Sequence, residues 1–272
     1  MRTTSLSAPP DARGHLSMAE RQEAIAALAA DQAFVEVGWL AARFDVTPQT
    51  IRRDLRALER SGQLARHHGG AAAHRSSTEN IGYVDRQVFH RAAKERIAAA
   101  AAARIPDRAS LFINIGTTTE AVADALMRHE GLRVITNNLN VAARLSRRPD
   151  FEVLIAGGLV RHSDGGVVGE ATAEFIDGFR VDYGVIGTSA IDPADGALLD
   201  YDPREVRVAQ AIMRNARRVM LVADHSKFGR SAMVRLGCLR QVQIFCTDRR
   251  PPDPVPALLA EAGGELVVAG EG

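Results

Sequence analysis

Cysteine is scarce in this chain: Cys238 and Cys246 are the only two among 272 residues. They form no CxxC pair and show no metal-ligand spacing, which argues against a disulfide framework or a zinc site. Two buried, reduced thiols are expected, as suits a cytoplasmic protein. A charge excess of one sign is also missing. Lys and Arg number 34 against 33 Asp and Glu, a net charge of +1. Affinity for nucleic acid must therefore come from local clustering. No stretch approaches the roughly 20 apolar residues of a membrane span. The alanine-rich run 97–103 is short and flanked by charge, and it reads as a packed helix. The opening MRTTSLSAPPDARG lacks the apolar centre of a signal peptide, so a disordered tail is expected over 1–17. What the chain does have is 46% hydrophobic residues, enough for a proper core, and length enough for two domains.

Positive charge is concentrated around 47–58, TPQTIRRDLRAL. Thr47 is a good helix N-cap, and Pro48 suits the first helical position. Ile51, Leu55 and Leu58 make one apolar stripe. The opposite face carries Gln49, Thr50, Arg52, Arg53, Arg56 and Arg60. Between 50 and 66 five arginines, Arg66 included, oppose only Asp54 and Glu59. Guanidinium and amide groups on one helix face suit base and phosphate contact in a major groove. A solvated basic face is the plainer alternative.

The neighbouring segments favour the first alternative. Helical segments at 20–30 and 37–44 precede a tight turn at Asp45-Val46, which completes a helix-turn-helix pattern. After the Ser61-Gly62 stop, 64–66 and 71–73 read as two strands around the turn His67-His68-Gly69-Gly70. This is a wing that presents Arg66, His67 and His68 to phosphate or the minor groove; plain turn polarity is the alternative for the histidines. The polar stretch 74–80 reads as a hinge. Domains are expected at 18–74 and 92–272, joined by a linker over 75–91.

Beyond a helix at about 92–104, short apolar runs alternate with helical segments, the pattern of an α/β domain with a largely parallel sheet. Strands are expected at 110–115, 133–136, 152–156, 183–187, 219–223, 243–247 and 265–268. Ligands of such sheets sit at the carboxyl ends of the strands. Those ends are polar here. Gly116, Thr117, Thr118 and Thr119 open a helix and suit a phosphate, although a threonine-rich helix start is also ordinary capping. Asn137 and Asn138 follow the second strand and Gly158 the third. Glu170 opens another helix, where it could bind a ligand hydroxyl or favour the helix dipole. Asp200, Asp202, Glu205, Asp224 and Lys227 follow later strands. Each alone could be a surface ion pair; their joint position points to a ligand site.

The segments TPQTIRRDL and RHHGGAA resemble the winged helix-turn-helix of the DeoR family of bacterial transcriptional regulators. INIGTTTEAVA, VITNNLNVA, AGGLVR with GGVVGEAT, DYDPREV and DHSKFGRSAMV resemble that family's sensor domain, which shares its fold with ribose-5-phosphate isomerase. Two departures stand out. Glu36-Val37-Gly38 replaces the usual capping start of the second helix, and Asn114 stands where relatives mostly carry Asp. The resemblance implies a repressor that binds double-stranded operator DNA and is released by a small phosphorylated effector, glycerol 3-phosphate first among the candidates. It implies a phosphate site at Gly116, Thr117, Thr118 and Thr119. Asn137, Asn138, Gly158, Glu170, Asp200, Glu205 and Lys227 become pocket members. A homodimer or homotetramer assembled through the sensor half is expected, with no cofactor, metal or catalysis. Another sugar phosphate as effector, or a sugar-phosphate isomerase using Asp224, Glu205 and Lys227, are the competing readings. The basic helix speaks against the isomerase.

Overall fold

Ile51, Leu55 and Leu58 are buried together with Ile25, Leu40 and Leu64, so the apolar stripe of the basic helix forms one side of a small core. The computed structural model describes residues 16–32, 35–61, 64–67, 70–73, 83–88, 90–228 and 230–270. The chain divides after His74 into two units, each with its own core.

The first unit runs α1 (Met18–Gln32), β1 (Val35–Glu36), α2 (Val37–Phe44), α3 (Pro48–Arg60), β2 (Leu64–His67) and β3 (Gly70–Ala73). Asp45 takes the left-handed conformation at φ 50 between α2 and α3, and the N–H groups of Asp45 and Val46 both meet the Ala41 carbonyl. Aspartate tolerates this conformation better than most residues. Thr47 caps α3 by accepting from the Thr50 N–H at 3.2 Å. Glu36 makes no side-chain capping bond to α2, in keeping with the unusual start of that helix. β2 and β3 pair antiparallel from Leu64↔Ala73 to His67↔Gly70. β1 extends this wing to three strands on the β3 side, which the two-strand reading missed. His68, expected at the tip of the wing, lies outside the described residues.

The second unit begins with α4 (Tyr83–Val88), α5 (Arg91–Ala102), β4 (Ser110–Ile113), α6 (Thr117–Leu126), β5 (Arg133–Thr136), α7 (Leu139–Leu145) and β6 (Glu152–Ile155). It continues with β7 (Leu159–Arg161), β8 (Gly166–Val168), α8 (Glu170–Asp177), β9 (Val181–Ile186), β10 (Ala190–Ile191) and β11 (Ala197–Asp200). The last elements are α9 (Pro203–Asn215), β12 (Ala216–Val222), β13 (Val234–Cys238), β14 (Ile244–Thr247), α10 (Val255–Glu261) and β15 (Glu265–Val268). Seven strands form one parallel sheet in the order β15-β14-β12-β9-β4-β5-β6. They are the seven apolar runs singled out in the sequence. Side chains alternate across it. Leu111, Val134, Val185 and Cys246 join α5, α6 and α7 on one face, while Phe112, Ile135, Ile186 and Phe245 join α8, α9 and α10 on the other. Burial of both faces explains why these strands read as continuous apolar runs. Cys246 is buried in β14 and Cys238 only half-buried in β13, and neither is in a disulfide.

The segment read as a linker, 75–91, contains α4, which packs on α6. Six residues are too few for a helical period to show in a sequence.

Candidate DNA-binding face and effector site

Because Ile51, Leu55 and Leu58 turn inward, α3 turns Gln49, Arg52, Arg53 and Arg56 outward, all of them exposed. The Thr47 hydroxyl is occupied as the cap and lies 3.0 Å from that of Thr50; both threonines fix the helix start. Asp54, which appeared in the sequence to offset this basic face, does not belong to it. It is buried, 2.6 Å from the Arg21 Nε, and accepts a second bond from the Gln22 amide at 3.1 Å. The outward face is therefore more positive than the residue count implied. Arg66 and His67 belong to β2.

In the second unit, β4 lies between β5 and β9. The chain winds outward from β4 through β5 and β6, then returns to β9 on its other side, so the topological switch point lies between β4 and β9, where open α/β sheets hold ligands. The loop after β4 is held by Thr119, whose hydroxyl lies 2.8 Å from the Asn114 carbonyl and 2.7 Å from that of Gly116. Gly116, at φ 146, turns the chain into α6, a conformation that favours glycine. Thr117 and Thr118 follow in its first turn. Asn138 caps α7 through its Oδ1 and donates to Glu120. Asn137 donates to the Val167 carbonyl at 3.0 Å, while its Oδ1 and that of Asn114 are buried without a partner among the described residues. Gly158, at φ 149, lies so close to Thr172 that a Cβ would stand 2.2 Å from its hydroxyl.

Beside these loops lies a dense ionic cluster. Arg161 donates to Asp164 at 2.9 and 2.6 Å, to Asp202 at 3.2 Å and to Glu205 at 2.7 Å. Asp200 is buried and accepts from the Ser189 hydroxyl at 3.0 Å and the Tyr201 N–H at 2.7 Å. Burial raises the Asp200 carboxyl, and burial together with Asp200 raises Glu205 to about 7. Burial, reinforced by the charge of Arg230, lowers Lys227 to about 7 against the pull of Asp224. Burial lowers Lys94 to about 8. Burial alone would raise Asp224, but the charges of Lys227 and His90 outweigh it and hold that carboxyl below the usual range. Cations that depress one another in an enclosed place are suited to a compact multivalent anion. The carboxylates and unpaired amide oxygens alongside suit hydroxyl groups.

Of the residues expected in the pocket, Asp200, Glu205 and Lys227 meet in this cluster. The loop Gly116 to Thr119, with Asn137 and Asn138, stands at the neighbouring strand ends. Glu170 does not join them: its side chain is 75% exposed and paired with Arg207 across the α8–α9 surface. Tyr83, Arg86, Lys94, Glu120, Arg161 and Asp164 were missed. Glu120 and Arg161 lay within segments that had drawn attention, INIGTTTEAVA and the turn AGGLVR.

Comparison with known proteins finds both units matched. Residues 21–77 match the DeoR-like helix-turn-helix domain, and residues 89–249 match the DeoR C terminal sensor domain. The chain is 48% identical over 246 residues to the glycerol-3-phosphate regulon repressor of Escherichia coli, covering 90% of this chain and 97% of that protein. It is 52% identical over 248 residues to the glycerol-3-phosphate regulon repressor of Haemophilus influenzae, covering 91% and 96%. It is 41% identical to the HTH-type transcriptional repressor CsqR of Escherichia coli, covering 92% and 95%. Among solved structures it is similar to ribose 5 phosphate isomerase A from Neisseria gonorrhoeae, with a TM-score of 0.36, 15% identity and coverage of 51% and 53%.

Proposed function

The chain belongs to the DeoR family of transcriptional regulators, and on that premise we propose that it represses genes of glycerol 3-phosphate metabolism and leaves its operator when glycerol 3-phosphate binds the second unit. It is a DNA-binding repressor rather than an enzyme: relatives matched over nine-tenths of its length are repressors. We assign operator contact to Thr47 and Thr50 at the start of α3 and to its Gln49, Arg52, Arg53 and Arg56, supported at the wing by Arg66, His67 and His68. We assign the effector's phosphate to the loop from Gly116 to Thr119 with Lys227, and its hydroxyls to Asn137, Asp200 and Glu205. A homodimer or homotetramer assembled through the sensor unit, acting in the cytoplasm, completes the reading.

The observation that carries it is the identity of 48% and 52% to two glycerol-3-phosphate regulon repressors over nearly their whole length, together with the buried Lys94 and half-buried Lys227 close to the acids of the ionic cluster. The test is a thermal-shift comparison of glycerol 3-phosphate, fructose 1-phosphate, fructose 6-phosphate and ribose 5-phosphate. A ligand at 100 times its dissociation constant stabilises by about 2.7 kcal/mol. Glycerol 3-phosphate should shift the melting temperature and release operator DNA, and Thr117→Val should weaken both effects while DNA binding persists. A shift with a hexose or pentose phosphate in its place overturns the assigned effector.

A further inference from the structure

We propose that α4 is a working wall of the effector pocket, in which Arg86 binds the effector's phosphate and Tyr83 latches the helix to Glu120, so that the segment leading to the DNA-binding unit reads whether the pocket is filled. This rests on the effector reading above and adds to it the residues that transmit the signal.

Arg86 reaches into the ionic cluster from α4. Its Nη2 lies 3.8 Å from Asp164, and its charge acts on Asp200, Glu205, Lys227 and Lys94. Its Nε is buried and donates to no group among the described residues. The nearby acids are already committed. Asp164 and Glu205 accept from Arg161, and Asp200 accepts from Ser189 and the Tyr201 N–H. An enclosed guanidinium with an unused donor, close to a second buried cation, suits a phosphate monoester, which a guanidinium grips by two parallel hydrogen bonds.

The other side of α4 is fastened to the phosphate loop's own helix. The Tyr83 hydroxyl lies 2.8 Å from both oxygens of Glu120 and accepts from the Gln87 and Asn140 amides at 2.6 and 2.9 Å. Glu120 is buried one turn into α6, the helix that opens at Thr117, and it also accepts from Asn138 at the end of β5. Lys94 of α5 donates to the Arg86 carbonyl. A ligand that engages the Thr117 loop and Arg86 therefore acts on α4 from both ends. Residues 74–82 alone separate α4 from β3 of the DNA-binding unit. If occupancy of the pocket changes operator affinity through α4, bound operator must change effector affinity by the same factor.

The test is calorimetric titration of the full-length protein with glycerol 3-phosphate, free and saturated with an operator fragment selected by the purified protein. Arg86→Gln should weaken the effector by about tenfold or more, the value of a charge-assisted hydrogen bond pair. Arg86→Lys keeps the charge without the paired geometry and should lose less; it also serves as the test if the glutamine variant does not fold. Operator affinity without effector should not change in either. Tyr83→Phe should still bind both ligands, but the ratio of effector affinities with and without operator should fall toward one from the roughly 5- to 150-fold typical of such coupling. Wild-type effector affinity in both Arg86 variants overturns the assignment of Arg86. A wild-type ratio in Tyr83→Phe overturns α4 as the transmitter. Wild-type protein that binds no phosphate ester overturns the effector reading and this inference with it.

Discussion

Asp54 and Arg21 stand 33 residues apart in the chain yet form a buried pair at 2.6 Å. Removing one partner of such a pair leaves an uncompensated charge. Asp54→Ala is expected to destabilise the DNA-binding unit by about 3–5 kcal/mol. The single tryptophan of the chain, Trp39, lies in α2 of that unit, so urea unfolding followed by its fluorescence reports this loss selectively. An unchanged midpoint would remove the pair from the list of what holds the unit together. Lys227 poses a pH question. Its pKa of about 7 lies below the ordinary 10.5, so between those values the unfolded chain binds the extra proton and the residue's contribution to stability rises with pH. Glu205, raised to about 7 from 4.5, binds the extra proton when folded, and its contribution falls as pH rises through that window. A phosphate monoester is already fully ionised above its second pKa of about 6 and favours the charged lysine. Effector affinity is therefore expected to fall as pH rises from about 7 to 9. Lys227→Arg, whose charge persists, should flatten the profile measured by calorimetry; a flat wild-type profile contradicts the role given to Lys227.

At the scale of the element, α3 divides its labour by face. Its buried stripe holds the helix in place, and Arg52, Arg53 and Arg56 stand exposed on the face proposed for operator contact. Arg52→Ala and Arg53→Ala should weaken operator binding and leave effector binding intact. A residue that contacts phosphate should also lower the slope of log affinity against log salt by about 1, whereas one that reads a base should relax sequence preference by about 1–3 kcal/mol. Fluorescence anisotropy at several salt concentrations separates these cases, and operator affinity equal to wild type in both variants would remove the recognition face from α3. The helix was legible because a cap, a proline and an apolar period fall in one short run. α4 was not, because it has six residues and owes its place to Tyr83–Glu120 and Arg86–Asp164 contacts with distant elements.

For the whole molecule, helix-turn-helix proteins usually bind as dimers to half-sites about one helical turn apart. Light scattering is expected to give a mass of two or four chains of 29.3 kDa, and an operator cut to a single half-site should bind far more weakly. A monomer that binds a half-site as tightly as the full operator would exclude the two-fold arrangement. Local pattern alone determined the strands of the parallel sheet: seven apolar runs became its seven strands, since burial of both faces leaves a continuous signal in the sequence. It also determined which loops gather at the strand ends, because a parallel sheet puts all of those ends on one edge. Only the tertiary structure decided which charges face one another. Asp54 turned inward to Arg21, Arg161 gathered Asp164, Asp202 and Glu205, and Glu170 turned out to Arg207. Hydrophobic periodicity records whether a side chain is buried. The partner of a buried charge is set by packing between elements far apart in the chain, and no local period encodes it.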